Sequence, residues 1–171
     1  QEEDERMEKL LDELAMLECD NSNNNNNPDK LANQTKANAL IEQLKQFEAK
    51  ATFFCIGNNV QKYPDVYQKI LDEGHAAGNH TYHHLNGWKT KDKDYLDDIS
   101  KAAQLIKSNL FRPPYGKIKN SQAKKIADAL QISHSQIIMW DVLSADFDPS
   151  FSPGQCLSNV IDNVSAGSIV V

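Results

Sequence analysis

Residues 50–84 read KATFFCIGNNVQKYPDVYQKILDEGHAAGNHTYHH, and this stretch decides the fold. ATFFCIG (51–57) is a short apolar run closed by glycine, which predicts a strand buried on both faces. PDVYQKILDE (64–73) has helical spacing with Pro64 at the first turn and Gly74 just past the end, the usual punctuation of a helix. HAAGNHT (75–81) follows as a strand of small residues. Strand, helix, strand in this order predicts a parallel βαβ unit.

The alternation continues outward. Toward the N-terminus, Leu31, Ala37, Leu40, Ile41, Leu44 and Phe47 predict an amphipathic helix over 31–47. Toward the C-terminus, helices are predicted at 92–108, 119–130 and 153–164. NLFRPP reads as a strand and turn, QIIMWDV (136–142) as a buried strand, and SAGSIVV (165–171) as a final strand. Residues 1–18 carry Met7, Leu10, Leu11, Leu14 and Leu17 at helical spacing, and CDNSNNNNNPDK after them is low-complexity. The expected organisation is an appendage over 1–29 and one α/β domain over 30–171. His80, Arg112, Asp141 and Asp146 all fall just after predicted strands. In a β/α barrel that end carries the chemistry.

With 171 residues the chain is long enough for one real core. It is 40% hydrophobic and 25% charged, which suits a soluble globular domain. A net charge of -6 argues against a nucleic-acid partner, which calls for a clustered basic face. No run approaches the roughly 20 apolar residues of a membrane helix, and no charged-then-apolar leader is legible at the start. Cys19, Cys55 and Cys156 are too few and too unpatterned for a disulfide framework, and Cys55 reads as a core residue.

Three segments carry candidate chemistry. In GNHTYHHLNGW (78–88), His80 and His84 are four residues apart on a turn or helix start, a spacing that can bring two imidazoles to one divalent metal. Thr81 is placed to hydrogen-bond within the turn. In FRPPYG (111–116), two prolines stiffen the backbone. That rigidity suits the Tyr115 N–H to a developing oxyanion and the Tyr115 ring to a groove wall, while Arg112 can hold a carboxylate. In MWDVLSADFD (139–148), Trp140 is a candidate for lining a sugar site, and Asp141 and Asp146 follow it. Read singly, the three segments are also compatible with a solvated polar loop, a rigid surface turn, and a core tryptophan beside turn-forming aspartates. His75 and His134 read as structural or solvated.

KATFFCIGNNV, DEGHAAGNHTYHH, FRPPYG and WDVLSADF, in this order and spacing, resemble the polysaccharide deacetylases, the NodB-homology family or carbohydrate esterase family 4. The likeness covers about residues 36–171. It implies a distorted, incomplete (β/α) barrel of the glycoside hydrolase/deacetylase type. It also implies hydrolysis of N-acetyl or O-acetyl groups on a chitin-like or peptidoglycan-like glycan. The resemblance makes His80 and His84 metal ligands for zinc, with cobalt, nickel or manganese as alternatives. It gives Arg112 the part of positioning the catalytic base, and Tyr115 that of the backbone oxyanion donor. Asp146 becomes the residue that tunes a general-acid histidine, with Asp141 second in line. Family members work at the cell envelope or outside the cell.

The chain departs from the family pattern at both ends. No Thr-Phe-Asp-Asp-Gly-Pro segment occurs, the nearest counterpart being Asp20 and Asn21 in ECDNS, and the sequence stops at Val171 before the family's histidine motif. Impaired turnover of this chain is therefore expected. Two other readings stay open: a glycan-binding pseudoenzyme, and an amide hydrolase of small cyclic ureides or imides.

Overall fold

The computed structural model describes residues 29–171, with side chains from Gln34 onward. The predicted helix over 1–18, the asparagine run and Asp20 and Asn21 lie outside the described residues. Two compact units are present. One is Lys50–Met139; the other joins the residues up to Ala49 to Trp140–Val171.

The first unit is built on a four-stranded parallel sheet in the order β1-β2-β3-β4. The strands are β1 (Thr52–Cys55), β2 (Ala76–Asn79), β3 (Leu110–Phe111) and β4 (Gln136–Ile137). Between β1 and β2 come α2 (Gly57–Lys62) and α3 (Pro64–Asp72). Helix α4 (Asp92–Ala103) joins β2 to β3, and α5 (Asn120–Ala123) and α6 (Ile126–Leu130) join β3 to β4. Sequential parallel strands linked by helices are the winding of a (β/α) barrel, here four strands of one, so the expected α/β class and barrel type are observed.

Helix α4 supplies much of the core because its apolar residues recur at helical spacing. Tyr95, Ile99 and Ala103 pack with Phe111 of β3 and with Ile126, Ala129 and Leu130 of α6. Its neighbouring face sends Ala102 into a second cluster with Val60, Tyr82 and Ile106. Gly74 takes φ +74° just after α3, a conformation that costs a glycine little.

Several elements are shorter than the sequence suggests. QIIMWDV pairs as a strand only at Gln136 and Ile137, and Met139 is exposed, so apolar content overstated this strand. The predicted helix over 119–130 breaks at Lys124 and Lys125 into α5 and α6. The helix predicted over 92–108 ends at Ala103.

In the second unit, α1 (Asp29–Gln46) buries Ala37, Leu40, Ile41 and Leu44, a stripe at i, i+3, i+4 and i+7. Phe47 falls past its end and is exposed. Helix α7 (Pro153–Ile161) starts at Ser152, whose hydroxyl accepts from the Gln155 N–H while the Gln155 side chain accepts from the Ser152 N–H, a capping box. SAGSIVV forms no extended strand, only a parallel bridge between Val142 and Val170. Among the described residues, no helix is long and apolar enough to cross a membrane. Burial pushes the Cys55 thiol up to about 12.

His75, just ahead of β2, is buried and carries a pH dependence. Its Nδ1 accepts from the Ala51 N–H at 3.3 Å, and its ring meets Phe53 edge-on at 5.3 Å. Burial, with Lys50 adding repulsion, lowers its pKa below the ordinary histidine value. A protonated Nδ1 would face the Ala51 N–H donor to donor. The folded state therefore binds fewer protons than the unfolded chain below about pH 6.5, and stability falls as pH drops through that value. Urea midpoints should decline between pH 7.5 and pH 5.5, and His75→Gln should flatten part of the decline. An identical decline in the variant would contradict this role.

Candidate functional site

The sheet register places the site. Asn79, the last residue of β2, is opposite Phe111, the last of β3. The next residues, His80 and Arg112, therefore leave adjacent strands side by side at their C-terminal ends. The Arg112 N–H donates to the Asn79 carbonyl at 3.1 Å, and the His80 N–H to the Cys55 carbonyl at 3.0 Å. The His80 Nδ1–H donates to the Arg112 carbonyl at 2.7 Å. A carbonyl can only accept, so this bond fixes the tautomer and leaves the His80 Nε2 with its lone pair, facing His84.

His84 completes the pair. Its Nε2 lies 3.2 Å from the His80 Nε2, with ring centroids 4.9 Å apart. The approach does not come from a helix. Residues 80–84 form a loop in which Thr81 (φ +63°) and His84 (φ +59°) both adopt left-handed conformations that non-glycine residues seldom take. Tyr115 shares this feature at φ +59°, and its ring lies 4.7 Å from that of His84. Among the described residues, three of the six non-glycine residues with positive φ thus sit in the two motif loops, and strain held at such positions is often functional.

Buried polar groups hold the histidine loop in this shape. The Thr81 N–H donates to Asn79 Oδ1 at 2.9 Å, Asn79 Nδ2 donates to the Ile99 carbonyl at 3.1 Å, and the Leu85 N–H donates to Thr81 Oγ1 at 3.2 Å. Tyr82 turns its ring into the second core cluster. Asp98 of α4, itself buried, accepts three bonds from the loop. These come from the Tyr82 N–H at 2.8 Å, the His83 N–H at 2.9 Å and His83 Nδ1–H at 2.5 Å. In the sequence Asp98 shows only as an acidic residue within the apolar stripe Tyr95, Ile99 and Ala102, a position that spacing alone does not mark as functional. Gly87 closes the loop against the other motif, its N–H donating to the Lys117 carbonyl at 3.1 Å. A Cβ on Gly87 would stand 2.4 Å from that oxygen, so the approach admits only glycine.

Arg112 is buried, its guanidinium stacked over Phe54 at 4.3 Å. Nε donates to the Ile138 carbonyl and Nη2 to the Met139 carbonyl, both at 3.3 Å. The guanidinium thereby ties the end of β3 to the segment after β4. Tyr115 occupies a tight turn closed by bonds from the Gly116 and Lys117 N–H groups, and its ring is exposed.

Trp140, Asp141 and Asp146 belong to the other unit. Asp141 Oδ2 accepts from the Ile169 N–H at 2.9 Å, which ties the loop after β4 to the final segment. Asp146 is half-buried. Burial pushes its carboxyl above the ordinary value, against hydrogen bonds from Ser144 and the Phe147 backbone that pull it down. His134 is exposed and hydrogen-bonded to Ser133.

The histidine pair suits a divalent metal. Burial, with His84 and Arg112 nearby, drives the His80 pKa down to about 3, against the opposing Arg112 carbonyl bond. Burial lowers that of His84 too. Both rings are therefore neutral near pH 7, as metal ligands must be. Two imidazole nitrogens on one tetrahedral zinc stand about 3.3 Å apart, which matches the 3.2 Å seen here. Among the described residues, no group of three His, Cys, Asp or Glu side chains surrounds this point.

Residues 25–134 match the polysaccharide deacetylase family profile. The chain belongs to the polysaccharide deacetylase family. A peptidoglycan-N-acetylglucosamine deacetylase of Bacillus cereus is 33% identical over 138 residues, spanning 77% of this chain and 48% of that protein. Chitin deacetylase 1 of Saccharomyces cerevisiae is 30% identical over 115 residues, 64% of this chain and 36% of that one. Among solved structures, a peptidoglycan N-acetylglucosamine deacetylase superposes with a TM-score of 0.71 at 31% identity, covering 78% of this chain and 63% of the other. A carbohydrate esterase family 4 pseudoenzyme from Bacillus anthracis superposes with a TM-score of 0.70 at 29% identity, covering 80% and 49%. The chain thus spans about half the length of the first of these relatives.

Asp98→Ala would leave three loop donors without their acceptor. It should destabilise the protein by about 2 kcal/mol or more in urea unfolding and raise amide exchange at Tyr82 and His83. Unchanged exchange at those two amides would show that the loop is held by other contacts.

Proposed function

We propose that this chain carries the metal-dependent deacetylase site of its family and acts on N-acetyl, or O-acetyl, groups of a chitin-like or peptidoglycan-like polysaccharide. The observation that carries the reading is the convergence of two neutral histidine Nε2 atoms at the C-terminal end of a parallel sheet, beside the strained Tyr115 turn. His80 and His84 would hold the cation, zinc by donor type, with cobalt, nickel and manganese as alternatives. When bound, such an ion polarises the acetyl carbonyl and lowers the pKa of its water.

The protein's own groups then have distinct parts. The Arg112 carbonyl keeps His80 in the tautomer whose Nε2 is a donor lone pair. The Tyr115 N–H, held by a turn between prolines and glycine, is offered to the developing oxyanion. Arg112 orients the catalytic base, the Tyr115 ring lines the sugar groove, and Trp140 is a further candidate for contact with a sugar. Asp146, with its raised pKa, tunes a general-acid histidine, and Asp141 is the lesser candidate for that part. A glycan of this kind would be met at the cell envelope or outside the cell, as the family resemblance suggests.

A second reading is a glycan-binding domain with little or no turnover. It is favoured by the likeness to a family pseudoenzyme and by a histidine pair that no third described ligand joins. Acetate release from an N-acetylglucosamine oligomer, measured with and without added zinc, separates the two. The hydrolase reading expects zinc-dependent release that falls at least about 100-fold in His80→Ala. Glycan binding without release would support the second reading.

A further inference from the structure

We propose that Trp88, with Lys117, forms a second sugar-stacking platform that binds a glycan unit next to the one being deacetylated. The inference rests on the glycan-directed reading above and extends it to a residue outside the three motifs' assigned chemistry.

Trp88 is 59% exposed and Tyr115 56% exposed, the two highest values among the exposed large hydrophobic residues. A tryptophan left so open contributes little to the core, and its ring is nonetheless held in place. Nε1–H donates to the Ile118 carbonyl at 3.0 Å, and the Trp88 N–H donates to Asn86 Oδ1 at 3.0 Å. The Lys117 ammonium sits 4.3 Å from the ring centroid and covers one face. The indole N–H is already satisfied, so the exposed ring surface is apolar, matched to the C–H face of a pyranose and not to water. Lys117 adds a donor at the platform's rim for sugar hydroxyls or a carboxylate. A fixed ring loses little conformational entropy on binding.

The position fits a polymer. From His84 the chain of contacts runs to the Tyr115 ring at 4.7 Å, then along the backbone to Lys117, and across to Trp88. Residues 115 and 117 are at most about 7 Å apart along the chain. Both exposed rings are thereby connected to the histidine pair through the short segment 115–118. An acetyl group held at His80 and His84 would leave the rest of the polymer free to lie along it.

The chain has two tryptophans, so the Trp88 signal is read as the difference between the native chain and Trp88→Phe, with Trp140 present in both. The probe is the N-acetylglucosamine pentamer, with the monomer as control. The pentamer should shift Trp88 emission to the blue and reduce its acrylamide quenching at least about twofold, while the monomer at equal concentration should not. In the otherwise native chain, Trp88→Ala should weaken pentamer binding about tenfold, and Trp88→Tyr should recover most of it. Unchanged Trp88 emission and quenching, or equal pentamer affinity in Trp88→Ala, would overturn the platform. Protection of Trp88 without acetate release would remove the hydrolase reading and keep the platform. Acetate release with Trp88 unprotected would do the reverse.

Discussion

Everything at the site depends on the register of β2 against β3. Because Asn79 lies opposite Phe111, the next residue of each strand leaves the sheet at the same level, and the His80 ring meets the Arg112 carbonyl. That one bond chooses the tautomer, turns Nε2 toward His84 and links two sequence motifs separated by 32 residues. A slip of the register by one residue would point His80 to the other face of the sheet. The parallel sheet is thus the device that sets the chemistry of the imidazole, and α4, packed on Phe111 through Tyr95 and Ile99, keeps the sheet in place.

The loop that follows is assembled from conformations that are unfavourable alone. Left-handed Thr81 and His84 each cost free energy, and they persist because the surroundings leave no alternative. Asp98 accepts from Tyr82 and His83, Asn79 accepts from Thr81, and the Tyr82 ring fills a core cluster. Gly87 lets the loop close against Lys117. Helix α4 thereby serves the core with one set of residues and the loop with Asp98 between them, so fold stability and site geometry draw on the same helix.

The sequence disclosed the parts written in local periodicity. The strands at 51–57 and 75–81, the helix at 64–73 and the α/β class follow from apolar spacing and from Pro64 and Gly74, and the structure contains them, although β1, at the end of the strand order, fully buries none of Thr52–Cys55 where its apolar run predicts burial on both faces. The His80 and His84 spacing was legible too, but not the loop that joins their Nε2 atoms, because positive φ at Thr81 and His84 has no compositional signature. QIIMW reads as a long buried strand because apolar content is blind to strand pairing, and only Gln136 and Ile137 pair with β3 as strand residues. Asp98 was missed because a carboxylate on a helix is ordinarily solvated. Its position within the stripe of Tyr95 and Ile99 was the available sign. Trp88 escaped notice because exposure is a property of the folded chain.

The central claim is that His80 and His84 bind one divalent ion through their Nε2 atoms while His80 keeps its Nδ1 proton on the Arg112 carbonyl. Imidazole 15N NMR of the whole chain, recorded as zinc is added, tests it most directly. The account predicts that the Nε2 resonances of both histidines move together to the metal-bound range at one equivalent, with His80 Nδ1 remaining protonated. Unmoved Nε2 resonances, or coordination through His80 Nδ1, would contradict it.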